Sequence, residues 1–233
     1  MKIPTPLVAG TLVRRYQRFL ADVRLDDGRL VTAHTPNTGS MMQCAIPGYR
    51  VLLSASDNPA RKLAWTLERI EVHGHWVDTH THRANRVVEE ALRAGQVPTL
   101  AGYQVLPERV LGDSRLDFLL QNGEERVWLE VKNVTLCCAP GVACFPDAVT
   151  TRGQKHLRTL AQAVAAGDRG VIFFLVQRGE ATAFAPADAI DPAYGRLLRE
   201  VVAAGVEVQA WRTRVTAEAT RLDIPLPLQL APE

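Results

Sequence analysis

An Asn122-Gly123 pair separates two runs of alternating apolar and polar residues, Arg115 to Leu120 and Val127 to Val134. Asn-Gly accepts positive φ at both corners of a tight turn, so the two runs are predicted to pair as an antiparallel hairpin. What flanks that hairpin decides the fold class. Before it, Asn85 is placed to cap a helix in which Val87, Val88, Ala91 and Leu92 share one side and Gly95 marks the end, and a strand follows from Tyr103 to Val110. After it comes a segment rich in Cys, Pro and Gly, Thr135 to Ala148, which reads as irregular. An amphipathic helix from Thr151 to Ala166, an apolar strand from Val171 to Gln177, a helix from Pro192 to Ala203 and a last strand from Val206 to Val215 complete the pattern. The tail Ile224-Pro225-Leu226-Pro227 is too proline-rich for regular structure. Residues 83–233 therefore read as one mixed α/β domain.

Residues 1–82 have a different texture, with short β-branched and aromatic runs between turn signals and almost no 3.6-residue period. Phe19, Ala21 and Val23 share a strand face, and Asp27-Gly28 turns the chain into Leu30 to His34. Further strands are expected at Tyr49 to Ala55 and Trp65 to Val72, punctuated by Pro36-Asn37-Thr38-Gly39, Pro47-Gly48 and Asp57-Asn58-Pro59. In the first of these turns Gly39 permits positive φ and Asn37 can bond its own backbone. About five short strands in so few residues suit a small barrel.

Bulk properties narrow the function. A chain of 233 residues, 47% of them hydrophobic, can bury a core in each part. No run approaches the roughly 18 apolar residues a membrane span needs, so a cytoplasmic protein with no membrane partner is expected. Four cysteines (Cys44, Cys137, Cys138 and Cys144) are too few for a disulfide scaffold, and a cytoplasmic address would keep them reduced. The net charge of +2 argues against a binder that works by bulk charge, but ten Lys and Arg against seven Asp and Glu leave residues 1–82 mildly basic.

The chemistry concentrates on the hairpin. Residues i and i+2 of a strand project to the same face, so Glu130 and Lys132 point together while Leu129 and Val131 face the core. Pairing can bring Asp117 of the preceding strand beside Glu130. Mg²⁺ is usually held by one or two carboxylates with waters and substrate phosphate, which is what two acids beside a lysine offer; Mn²⁺ has the same taste for oxygen. The same spacing fits a solvated strand face, but the neighbouring helices add polar groups. Glu90, nearer the apolar stripe than Glu89, is the candidate third metal ligand, and Gln154 and His156 could orient the acids. Arg152 and Lys155 stand near a helix N-terminus, where anions bind, and Asp147 could fix the loop or approach the metal. In the barrel, Arg14, Arg15, Tyr16, Arg18 and Phe19 interleave cations with aromatics, as a groove for phosphates and stacked bases would; Arg61 and Lys62 are weaker candidates.

Several contiguous blocks carry a family resemblance: Arg18 to Val23, Pro36 to Gly39, Asn85-Arg86, Ser114 to Phe118, Glu130 to Leu136, Phe145 to Thr150 and Arg152 to Leu157. Through them the chain closely resembles the sugar fermentation stimulation protein A (SfsA) family over nearly its full length. The resemblance implies an N-terminal OB-fold β-barrel followed by a PD-(D/E)xK nuclease-like α/β domain, with Asp117 as the first acid and Glu130 and Lys132 as the acid-x-lysine pair. It also implies largely sequence-nonspecific DNA binding and a regulatory role in maltose metabolism. One departure is His80-Thr81 where the family tends to have Asn-Thr, within a stretch holding His73, His75, His80 and His82. Surface histidines near the domain junction account for that stretch better than a metal site.

Two functions follow as expectations. One is a DNA-binding protein, RNA being the other nucleic acid to test, with a Mg²⁺- or Mn²⁺-dependent phosphodiesterase site in which Asp117, Glu130 and Glu90 hold the metal and Lys132 and Gln154 assist. The other is a catalytically silent DNA-binding regulator on the same fold; retention of Lys132 beside both acids favours the first.

Overall fold

A computed structural model of the chain describes residues 1–3, 6–37 and 39–231. Strands β1 (Leu7–Tyr16), β2 (Leu20–Leu25), β3 (Leu30–His34), β4 (Arg50–Ala55) and β5 (Trp65–Val72) lie in the order β3-β2-β1-β4-β5, with β6 (His75–Asp78) outside β5. β3 also pairs with β5 in parallel, Ala33 opposite Trp65 and His34 opposite Thr66, which closes the array into the five-stranded barrel of an OB fold. Leu12, Val23, Val51, Leu53 and Ile70 fill its interior. A bulge between Leu12 and Arg14 bends β1, which pairs with β4 through its first half and with β2 through its second. Neither β1 nor β6 is assigned from sequence. Phe19 departs from its expected strand face: it follows Gln17 and Arg18, both at positive φ, in the tip between β1 and β2, and is 44% exposed.

The second half comprises α1 (Thr81–Arg93), β7 (Gln104–Leu111), β8 (Ser114–Asn122), β9 (Glu125–Val134), β10 (Leu136–Ala139), β11 (Val142–Phe145), α2 (Thr151–Ala165), β12 (Arg169–Val176), β13 (Ala183–Pro186), α3 (Pro192–Ala203), β14 (Glu207–Val215) and β15 (Thr220–Pro225). Its main sheet runs β15-β14-β12-β9-β8-β7, parallel among β9, β12 and β14 and antiparallel at both ends. β12 is apolar throughout because it feeds two layers. Val171, Phe173 and Leu175 pack with Val87 and Val88 of α1, while Ile172, Phe174 and Val176 pack with Leu157 of α2 and Leu198 of α3.

Four expectations are corrected. Helix α1 begins at Thr81, with His80 at its N-cap, because the Thr81 amide and hydroxyl both donate to Pro36 O in the barrel; Asn85 sits inside the helix. The segment read as irregular holds β10 and β11, which join β13 in a small sheet of its own. There Cys138 and Cys144 form a disulfide, their Cα atoms 5.9 Å apart across the hairpin, where reduced thiols were expected; Cys44 and Cys137 are free and buried. Pro225 does end a strand, at the sheet edge, where its missing N–H leaves no ladder bond unmade.

A buried ionic network joins the halves. Asp78 of β6 pairs with Arg69 and Arg83, each at 2.8 Å, and accepts from the Thr220 hydroxyl at 2.6 Å. Arg83 of α1 also reaches Glu68 of β5 at 2.6 Å. Charges this deeply buried require such pairing. No helix among the described residues is long and apolar enough to cross a membrane.

Candidate active site at the barrel junction

The antiparallel ladder between β8 and β9 runs from Asn122 opposite Glu125 to Phe118 opposite Leu129 and then stops. Where the strands part, Asp117 enters the gap. Its Oδ2 accepts the Val131 amide at 2.8 Å in place of a ladder bond, and its Oδ1 accepts Asn85 Nδ2 of α1 at 2.6 Å. Burial pushes the Asp117 carboxyl up to about 6, with the Glu130 charge raising it further and the Val131 amide, Lys132 and Asn85 opposing.

Glu130 projects toward α2 and is only 4% exposed. Its Oε1 accepts Lys132 Nζ at 2.6 Å and also meets Nδ1 of the buried His156. Nδ1 cannot donate to Glu130 and accept from Lys132 at once, although Nζ lies 3.2 Å away. A neutral ring protonated on Nδ1 satisfies the network, since Nε2 is then free to accept from Arg152 Nε at 3.5 Å. Burial alone would raise the Glu130 carboxyl, but the His156 hydrogen bond and the Lys132 charge outweigh it and hold it below the usual glutamate range. The other oxygen, Oε2, is buried with no partner. One oxygen is thus fixed by two groups while its twin keeps its lone pairs open.

Asp117, Glu130, Val131 and Lys132 line a cavity of about 390 Å³. Thr81, Ala84 and Asn85 of α1 form one wall, Asp147 and Arg152 another, and Asn37 and Gly39 of the barrel a third. The barrel loop is anchored: Asp147 Oδ2 accepts Ser40 Oγ at 2.9 Å and the Met41 amide at 3.2 Å, so Asp147 fixes the loop. Asn37 Oδ1 accepts the Gly39 amide at 2.8 Å, the expected local turn; Thr38 lies outside the described residues. Gly39 is not among the glycines at positive φ; a Cβ there would come within 3.0 Å of Asn37 Oδ1 and 3.2 Å of Asp147 Oδ2, so it is close approach that glycine allows.

Other sequence candidates lie elsewhere. Glu90 is a correction: its carboxylate pairs with the Met1 amino group at 2.5 Å and is largely exposed, because in a helix starting at Thr81 it projects away from the Asn85 stripe. Gln154 is another, since its Nε2 donates to Asp191 at 3.3 Å rather than to the acids. Asp191 also accepts the Thr150 amide and caps α3 through the Tyr194 amide, so Gln154 belongs to the scaffold of α2. Lys155 reaches back to Asp113 at 3.0 Å. In the barrel, Arg15 Nη2 donates to Asn37 O at 2.8 Å and Gly39 O at 2.9 Å and also bonds Arg18 O, which makes Arg15 a clamp on the loop rather than a free cation. Arg14 pairs with Asp22 at 2.8 Å and lies 4.8 Å over the Tyr16 ring, whose hydroxyl donates to Asp22 at 3.2 Å. Arg18 is exposed beside Phe19. Sequence reasoning missed Asn85 as a partner of Asp117; the signal available was that Thr81 and Asn85, one turn apart, put two polar residues on one helix stripe.

The fold defines a protein with an N-terminal OB barrel followed by an α/β domain that carries this pocket. Within that class, the chain belongs to the sugar fermentation stimulation protein family: residues 13–78 match its SfsA N-terminal OB domain and residues 82–219 its Sugar fermentation stimulation protein RE domain. The sugar fermentation stimulation protein homolog of Syntrophotalea carbinolica is 67% identical over 99% of this chain and 100% of its own length. That of Geobacter sulfurreducens is 58% identical over 98% of each. The structure of Pyrococcus furiosus SfsA in complex with Ca²⁺ matches with a TM-score of 0.88 at 27% identity, covering 98% of both chains.

Proposed function

We propose that the chain binds nucleic acid, DNA foremost, and hydrolyses phosphodiester bonds at the Asp117-Glu130-Lys132 pocket with Mg²⁺ or Mn²⁺ bound. The observation that carries this reading is the divided use of Glu130, whose Oε1 is held by Lys132 and His156 while Oε2 is buried and unpartnered. A buried carboxylate oxygen without a partner is costly unless a ligand satisfies it. The donors fit a hard cation: Glu130 Oε2 and the Asp117 oxygens, each of which accepts one hydrogen bond and retains a lone pair. The Pyrococcus furiosus relative is in complex with Ca²⁺, which shares that preference for oxygen.

A bound divalent cation would polarise the phosphoryl group and lower the pKa of water. The chain's own groups do the rest. Lys132, beside Glu130, holds the attacking water in place. His156 keeps Glu130 oriented, and Arg152 at the start of α2 offers a cation to the scissile phosphate. Such a protein, in the cytoplasm, fits the role in maltose or wider sugar metabolism that the family resemblance implies.

A second reading, binding without turnover, is favoured by one observation: with Glu90 displaced, no group of three or more His, Cys, Asp or Glu side chains among the described residues is arranged to hold a metal. Incubation with single-stranded DNA, duplex DNA and RNA in Mg²⁺ or Mn²⁺ separates the two. Cleavage abolished by Glu130→Ala and by Lys132→Ala is expected. Binding with no cleavage would leave the silent regulator, and cleavage that survives both substitutions would overturn the assignment of catalysis to this pocket.

A further inference from the structure

We propose that a second cleft, on the far side of α1 from the catalytic pocket, holds phosphates of the same nucleic-acid strand a few nucleotides from the bond that is cut. This rests on the nucleic-acid reading above and adds the path of the strand to it.

The cleft, about 510 Å³, lies between the barrel and the first turns of α1. Lys2, Arg61 and Arg86 supply its cationic lining, with His80 and His82 beside them. Glu68 is the one acid among its described lining residues, and Arg83 already neutralises it at 2.6 Å. Lys2, Arg61 and Arg86 are exposed, and none of them forms an ion pair among the described residues. For a chain whose net charge is only +2, this is a local concentration of unneutralised cations. Of the barrel cations anticipated for this task, Arg14 is engaged with Asp22 and Arg15 with the loop carbonyls, Arg18 is exposed at the β1–β2 tip, and Arg61 lines this cleft.

Helix geometry joins the two sites. Thr81 and Asn85, one turn apart, line the catalytic pocket, while Arg83 and Arg86, three residues apart, line the cleft on the opposite side of the helix. A helix is roughly 10 Å across with its side chains. At a rise of about 3.4 Å per nucleotide, that width corresponds to roughly three nucleotides of a duplex strand. A strand with one phosphodiester at Asp117 and Glu130 therefore passes α1 and presents its next phosphates to Arg86 and Arg61.

The test is the salt dependence of binding by the full chain, measured in EDTA so that turnover does not intrude, with fluorescent single-stranded and duplex DNA oligonucleotides. Each phosphate contact contributes about 0.7 to the slope of log K against log salt for single strands and about 0.9 for duplexes. Arg61→Ala and Arg86→Ala should each lower the slope by about that amount and weaken binding at low salt, Arg86→Lys should restore it, and Arg29→Ala, at the β2–β3 turn, should leave it unchanged. Both arginines are exposed, so folding is not at issue. Equal slopes for wild type, Arg61→Ala and Arg86→Ala would overturn the cleft while leaving nucleic-acid binding intact. Absence of binding by the wild type would remove both.

Discussion

Asp117 is held where ionisation is unfavourable, and that has a sign that can be checked. Below pH 3.8 the folded and unfolded chains both hold the proton; between 3.8 and about 6 only the folded chain does; above about 6 neither does. Stability contributed at this position therefore falls as pH rises from about 4 to 6 and stays low beyond. Asp117→Asn should stabilise the metal-free protein by up to about 3 kcal/mol at pH 8 and hardly at all at pH 4, since each pKa unit is worth about 1.4 kcal/mol. Asn85 can flip its amide to keep the hydrogen bond. Denaturant titrations of both proteins at the two pH values measure it, and an equal difference at each would refute the account. At this scale the sequence was legible where chemistry follows strand alternation, as for Glu130 and Lys132. It was illegible for Glu90 and Gln154, because which way a helical side chain turns depends on where the helix starts and what packs beside it.

Elements position these residues by close contact. α2 approaches β12 at Gly170, where an added Cβ would meet Leu160 O at 2.8 Å. Gly170→Ala should move α2, and with it His156 and Arg152, away from the sheet. A loss of about 1–3 kcal/mol is expected, the usual result of overpacking, readable as a lower thermal midpoint. Unchanged stability would mean that the helix has slack. The long elements were visible beforehand because each carries its own period: β8, β9, β12, α2 and α3 all fall close to their expected places. β1, β6 and β13 were not, and neither was the β10–β11 hairpin, since short strands are specified by their partners rather than by pattern. The early start of α1 belongs with them, because a barrel carbonyl, Pro36 O, sets it.

Across the whole molecule, the two halves meet through Glu68, Arg69, Asp78, Arg83 and Thr220. Removing one member strands buried charge, so Asp78→Ala should cost about 3–5 kcal/mol and lower the denaturation midpoint sharply. A loss under 1 kcal/mol in the same titration would show that water reaches the network. Composition gave the texture change near residue 82 but not this seam, because charged residues in sequence carry no mark of burial. The seam bears on how the proposed nucleic-acid substrate would be measured. The barrel is tied to the second half by buried ion pairs, and one of its own loops lines the Asp117-Glu130 pocket, so the distance between that pocket and the barrel is held by the fold. On the proposed reading the molecule would work as a fixed gauge, the length of strand between cleft and pocket being dictated by the protein.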